Sequence, residues 1–272
     1  SLGKRLYFPK GVPVQAQEAL DAGCDYNATI GQLKGEDGKA LPLQVIEDAM
    51  TLESEETVLY QPQGGRKDLR LAWREHIREE TPDECSLPVA CAGLTHGLSI
   101  CADLFIDEHT DVLLPNPRWG NYDVIFGLRA QGRIHNYRVM QDTPDVRMAG
   151  FDIEAVGTAL NNIEDKGVLL LNFPSNPLGY TPKPSEIKAL VDLIKTCTKP
   201  LVIILDEAYF EYAKDFEQYP NSMNYRYDNV ITLRTFSKAY GLAGIRVGYG
   251  FAHDSLIENL LKVKAPFEPS LL

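Results

Sequence analysis

Apolar residues in this chain follow two spacings. Nearly unbroken apolar runs occupy Val168–Phe173, Leu201–Leu205 and Val230–Leu233. Each is short and rich in branched side chains, the pattern of a strand buried on both faces of a helix-covered parallel sheet. Asp111–Leu114, Arg133–Val139 and Val247–Phe251 read as further strands, and residues 88–106 as a strand turning into an apolar helix. Spacings of three and four predict helices over Phe151–Ile163, over Pro184–Cys197 (Ile187, Leu190, Val191, Ile194), over Leu256–Val263, and on the segment carrying Leu69 and Trp73. A shorter helix holds Leu43, Ile46 and Met50. Residues 1–44 read as irregular, 140–150 as a surface loop and 211–229 as an acidic, Tyr-rich loop. Alternation of strand and helix through residues 88–251 predicts an α/β fold with a doubly wound, mostly parallel sheet.

Composition narrows the function classes. The 272 residues are 44% hydrophobic and 24% charged, the profile of a soluble globular chain with one large domain or a large one and part of a second. A net charge of −11 leaves no basic face for nucleic acid. No apolar run approaches the ~18 residues of a membrane span, and the first residues lack the apolar core of a secretory signal. Cys24, Cys85, Cys91, Cys101 and Cys197 are odd in number and widely spaced, which predicts reduced thiols in a cytoplasmic protein. The five histidines lack metal-ligand spacing, so no metal site is expected.

The chemistry concentrates between Thr232 and Tyr249, TLRTFSKAYGLAGIRVGY. Lys238 follows a strand and sits among hydroxyls and small residues. A lysine in an apolar setting loses proton affinity and becomes a nucleophile that forms an imine with a carbonyl. Thr235, Ser237 and the Arg246 guanidinium are suited to a phosphate. An imine-forming lysine beside a phosphate site suggests pyridoxal phosphate, although Lys238 taken alone reads more readily as a surface lysine in a Gly-rich loop. Gly93-Leu94-Thr95-His96-Gly97 places a glycine-flanked turn at a helix start, where backbone N–H groups and the Thr95 hydroxyl bind phosphate well. His96 either joins that site or caps the helix. Trp119 lies in a Pro/Gly-punctuated loop at the C-terminal end of a strand, where ligands of open α/β sheets sit, and an indole there can stack on a flat heteroaromatic ring. Asp206 ends a fully apolar strand, a costly position for a carboxylate without a cationic partner. It is also readable as a helix N-cap, and Asn176-Pro177-Leu178-Gly179 as a tight turn only.

Together these strings closely resemble the class I/II aminotransferase family of fold-type I pyridoxal phosphate enzymes, from about residue 25 to the end of the chain. The lysine string looks much like that of histidinol-phosphate aminotransferases. The resemblance implies a Lys238 Schiff base with the cofactor, Asp206 on its pyridinium nitrogen, Tyr209 and Asn176 on its phenolic oxygen, and Trp119 stacked on its ring. It assigns the phosphate to Leu94, Thr95, Thr235, Ser237 and Arg246, and to Tyr60 from the neighbouring subunit of a homodimer. Catalysis would fall to Lys238, Asp206 and Tyr209, moving an amino group between an L-amino acid and a 2-oxo acid. Residues 1–44 would belong with a small domain and residues 45–272 would form the cofactor-binding large domain.

The string NPLG departs from the family's usual threonine at position 178, and His96 from its usual smaller or amide residue. The family's C-terminal small domain, with the arginine that grips the substrate carboxylate, is expected to be absent after Leu272. Other readings are a histidinol-phosphate transaminase, a C–S lyase or a decarboxylase on the same cofactor, and a non-catalytic module that keeps the fold.

Overall fold

A computed structural model describes residues 11–31, 34–51, 58–77, 86–145, 149–213 and 228–266. The chain divides into two compact units, residues 1–52 and 53–272. Cys85 and most of the expected 211–229 loop lie outside the described residues.

The first unit is not wholly irregular, as its composition suggested. Helix α1 spans Val12–Asp21, with a proline in its first turn. It ends where Gly23 takes φ 61° and the N–H groups of Ala22, Gly23 and Cys24 close on the carbonyls of Glu18, Leu20 and Ala19. Proline inside the start and a left-handed glycine past the end are the local signals for such a helix. Helix α2, Gln44–Ala49, buries none of its residues, and among the described residues of this unit only Ala16 is buried.

The second unit is built on one seven-stranded sheet. In chain order its strands are β1 (Val89–Cys91), β2 (Thr110–Asn116), β3 (Arg133–Arg138), β4 (Lys166–Asn172), β5 (Leu201–Asp206), β6 (Val230–Thr235) and β7 (Gly248–Ala252). They lie side by side as β1-β7-β6-β5-β4-β2-β3. β2 to β6 are mutually parallel, whereas β7 runs antiparallel to both neighbours. The reversal follows from chain length. Residues 236–247, which join β6 to β7, form turns and no helix, so the connection lacks the helical crossover that a parallel neighbour needs.

The pleat sends alternate apolar residues to opposite faces, and both faces are covered. Val112, Leu114, Val168, Leu170, Ile204 and Ile231 pack with helices α4 (Leu94–Phe105) and α7 (Asp254–Val263). Leu113, Leu169, Leu171, Ile203 and Leu205 pack with α5 (Ile153–Asn161) and α6 (Pro184–Ile194). Asp152 caps α5 by accepting from the Ala155 N–H at 3.0 Å, so that helix starts past Phe151. A strand reading that could reach back to Gly127 begins only at Arg133, and residues 123–129 wind instead as a π-helix with Ile125 and Phe126 buried. Helix α3 (Lys67–Ile77) turns Trp73 into an aromatic cluster with Tyr249, stacked at 4.3 Å, and Phe236.

The outer strand β3 is polar. Arg133 donates twice to Asp111, each bond 2.9 Å, and His135 Nε2 lies 2.8 Å from the same carboxylate. Those contacts and the Glu164 N–H outweigh the burial that pushes Asp111 up, and its carboxyl falls below the usual range. Arg138 donates to Asp152 at 2.8 Å. At the other edge, the Ala90 N–H of β1 donates to the Gly64 carbonyl at 2.9 Å. None of the helices among the described residues is long and apolar enough to cross a membrane.

One ion pair is buried inside this frame. Arg234 on β6 donates Nε to Glu207 Oε2 at 2.8 Å, and its guanidinium carbon stands 3.8 Å from the centre of the Phe210 ring. Removing one member strands the other's charge in a dry interior, whereas replacing both removes the problem. Arg234→Met is expected to lower unfolding stability by about 3–5 kcal/mol, and adding Glu207→Leu to recover most of the loss. Urea unfolding of the two variants checks this.

Candidate active site

The predicted residues converge on the C-terminal ends of β2, β4, β5 and β6. β2 and β4 are neighbours whose onward connections run in opposite directions, to β3 and to β5, and this opens a crevice between their C-terminal ends. The loop after β2 brings Trp119 there, the loop after β4 brings Asn176, the end of β5 brings Asp206 and Tyr209, and the β6–β7 connection brings Lys238.

Asp206 is 3% exposed. Its Oδ2 accepts from the Tyr122 hydroxyl at 2.6 Å and its Oδ1 from the Ala208 N–H at 3.0 Å. Burial raises the carboxyl from 3.8 to about 6, against the pull of those two donors and of the Lys238 charge; the Glu207 charge adds to the rise. Lys238 is half-buried, its Nζ 5.4 Å from the centre of the Tyr209 ring. Asn176 Nδ2 donates to the Tyr209 hydroxyl at 3.4 Å.

Two residues that hold this set together carry no motif in the sequence. Asn172 donates Nδ2 to the Asp206 carbonyl at 2.9 Å and accepts the Asn176 N–H at 2.8 Å, tying the ends of β4 and β5 together. Tyr122 holds Asp206. Both contacts join residues distant in sequence, and the only available signal was a polar side chain at, or just beyond, the end of an apolar strand.

The second half of the candidate site gathers a helix start, two hydroxyls and a guanidinium. Helix α4 begins at Leu94, and by helix geometry its first N–H groups have no partner within the helix. Gly93 has φ 77°, and a Cβ there would lie 2.4 Å from Arg246 Nη2. A Cβ on Gly248 would come within 2.9 Å of the Gly93 carbonyl carbon and the Leu94 nitrogen. Both glycines therefore permit close approach of three chain segments. Arg246 itself has φ 61°, a left-handed conformation uncommon outside glycine. It donates Nη1 to the Ala243 carbonyl at 2.9 Å and to Ser237 Oγ at 3.3 Å. Thr235 donates to Ser237 Oγ at 2.9 Å. Thr95 is exposed beside this group. His96 points back, its Nδ1 accepting the Ala92 N–H at 3.1 Å, the arrangement of a turn cap. Tyr60, 81% exposed, belongs to the loop before Gly64 and Gly65.

The chain has relatives among known proteins. Residues 26–270 match the model of the aminotransferase class I and II family, and the chain belongs to that family. It is 36% identical over 178 residues to the histidinol-phosphate aminotransferase of Bacillus pumilus, covering 64% of this chain and 44% of that one. It is 30% identical over 228 residues to histidinol-phosphate aminotransferase 2 of Carboxydothermus hydrogenoformans, covering 81% and 57%. The chain thus spans about half the length of the curated relatives it matches. The fold is shared with the aromatic-amino-acid aminotransferase of Burkholderia pseudomallei, solved covalently bound to pyridoxal phosphate, with a TM-score of 0.70 at 21% identity over 95% of this chain and 68% of that one.

The raised carboxyl of Asp206 has a consequence for stability. A carboxyl that is harder to ionise in the folded chain holds its proton where the unfolded chain has lost it. Folding stability therefore declines as pH rises from near 4 through about 6. The full difference is on the order of 3 kcal/mol. Asp206→Asn removes that charge, and the Tyr122 hydroxyl can rotate to accept from the new amide. Cofactor-free Asp206→Asn is expected to melt above the wild type at pH 8, with the gap shrinking at pH 5, as read by calorimetry.

Proposed function

We propose that this chain is a pyridoxal-phosphate-dependent aminotransferase moving an amino group between an L-amino acid and a 2-oxo acid. The observation that carries the reading is one crevice edge holding a buried carboxylate, a half-buried lysine amine and a three-segment anion cup. The residues fit that cofactor. The Asp206 carboxylate is buried deeply enough to favour a cationic partner such as a protonated ring nitrogen, and the cup is shaped for a phosphate.

Bound there, pyridoxal phosphate supplies an electrophilic carbon that carries the amino group and a ring that withdraws electrons. Lys238 Nζ is the amine that would hold the cofactor and would serve as the base for the proton on the substrate Cα. Asp206 keeps the proton on the ring nitrogen. The Tyr209 hydroxyl and Asn176 Nδ2 hold the phenolic oxygen, and Trp119 covers the ring face. Arg246, Ser237, Thr235, Thr95 and the Leu94 N–H bind the phosphate. Tyr60 completes the phosphate site of the other copy in a homodimer. Residues 1–44 belong with a small domain and residues 45–272 form the cofactor-binding domain. Cys24, Cys91, Cys101 and Cys197 are thiols, which supports a cytoplasmic setting.

The test is an absorption spectrum with added pyridoxal phosphate, before and after borohydride. The wild type is expected to give a yellow band that borohydride fixes to the chain, and Lys238→Ala none that is fixed. No band in the wild type, or a fixed band in Lys238→Ala, overturns the reading. An L-amino acid donor is expected to release its 2-oxo acid, and histidinol phosphate, tested because the relatives are named for it, the matching ketone with its phosphate ester retained. Thiol with ammonia, or CO2, would instead mark a lyase or a decarboxylase. Gly93→Ala, which drives a methyl into the Arg246 guanidinium, is expected to weaken cofactor affinity about tenfold or more by spoiling a charge-assisted contact, read by absorbance titration.

A further inference from the structure

Tyr122 is a helical residue at the cap of the π-helix that follows β2, and it is 1% exposed. Its hydroxyl donates to Asp206 Oδ2 at 2.6 Å, a short bond of the kind an ionised acceptor makes. Its ring meets the Trp119 indole edge-on, centroids 5.4 Å apart at 87°, and packs on Phe126 at 6.2 Å. Burial, then the Asp206 charge, keeps the phenol protonated far above neutral pH, so it remains a donor. The Asp206 carboxylate has the Ala208 N–H on its other oxygen, and its carbonyl is held by Asn172. The charged groups acting on it are Glu207, which opposes its ionisation, and Lys238, which favours it.

We infer that Tyr122 is a positioning residue of the site. Its hydroxyl orients the Asp206 carboxylate and its ring edge sets the plane of Trp119, so one buried side chain aligns two groups delivered by separate strands. The inference rests on the proposed reading only in taking those two groups as the ring-nitrogen partner and the stacking face. The phenol is not expected to touch the cofactor. It acts by holding Asp206 ionised and pointed.

Tyr122→Phe keeps the ring and its packing and removes only the donor. Two readouts are compared with the wild type. The first is the ionisation midpoint of Asp206 in the cofactor-free protein, followed by infrared absorption of 13C-labelled aspartate with Asp206→Asn as the reference. The second is the dissociation constant for pyridoxal phosphate at pH 6 and pH 8.5. Loss of a hydrogen bond to the charged form is expected to raise the midpoint by roughly one to two pH units. Affinity is expected to fall about tenfold at pH 6 and much less at pH 8.5, where Asp206 ionises in either protein. An unchanged midpoint overturns the inference, and so does an equal loss of affinity at both pH values, which marks Tyr122 as packing alone. If the wild type binds no pyridoxal phosphate, the functional reading fails while the midpoint comparison still decides whether Tyr122 governs Asp206.

Discussion

A carboxylate buried at the end of an apolar strand is the demand around which this molecule is arranged. Asp206 can stand there only because donors arrive from elsewhere: a phenol from the loop after β2, a backbone N–H from its own turn, and a lysine charge from the β6–β7 connection. Its neighbour Glu207 would add a second buried negative charge, and Arg234, one strand over, answers it. Asn172 then joins the backbone of β5 to the loop after β4. The sheet makes these contacts possible, since helices on both faces keep β5 and the carboxylate at its end buried.

Beside that half of the site, the proposed anion cup depends on an absence of side chains. At Gly93 and Gly248 the helix start, β7 and the Arg246 guanidinium come closer than any Cβ allows. The positive φ of Arg246 belongs to the same compromise. Backbone in a sparsely populated region persists where surrounding contacts determine it, and such residues gather at ligand sites.

Much of this could be read in the chain. β4, β5 and β6 are legible because burial on both faces leaves an almost continuous apolar run. Lys238, Asp206, Trp119 and Asn176 each have an ordinary structural use taken singly; they are legible as a set because they lie at or beyond the ends of such runs in strings that resemble, in order, those of one family. Tyr122 is not, because its importance lies in a bond to a residue on another strand and its neighbours follow no recognisable period. The π-helix at 123–129 is illegible for a related reason: the shift in its hydrogen bonding comes from tertiary packing rather than propensity. The direction of β7 was open until the short β6–β7 connection was known to be a hairpin. Helix α1 had its proline and glycine flanks in plain view, but its weak apolar face left residues 11–22 looking like loop.

The two ends of the sheet carry a different consequence. An unpaired strand edge is a template on which another chain can add, and long apolar edges invite aggregation. Here β3 presents Arg133, His135 and Arg138, each anchored to an aspartate, so an incoming strand would have to bury or displace fixed charge. β1 is three residues long, and the Gly64 carbonyl already occupies one of its N–H groups. Fixed charge on one edge and a very short strand on the other make both ends of this apolar sheet poor templates for the addition of a further strand.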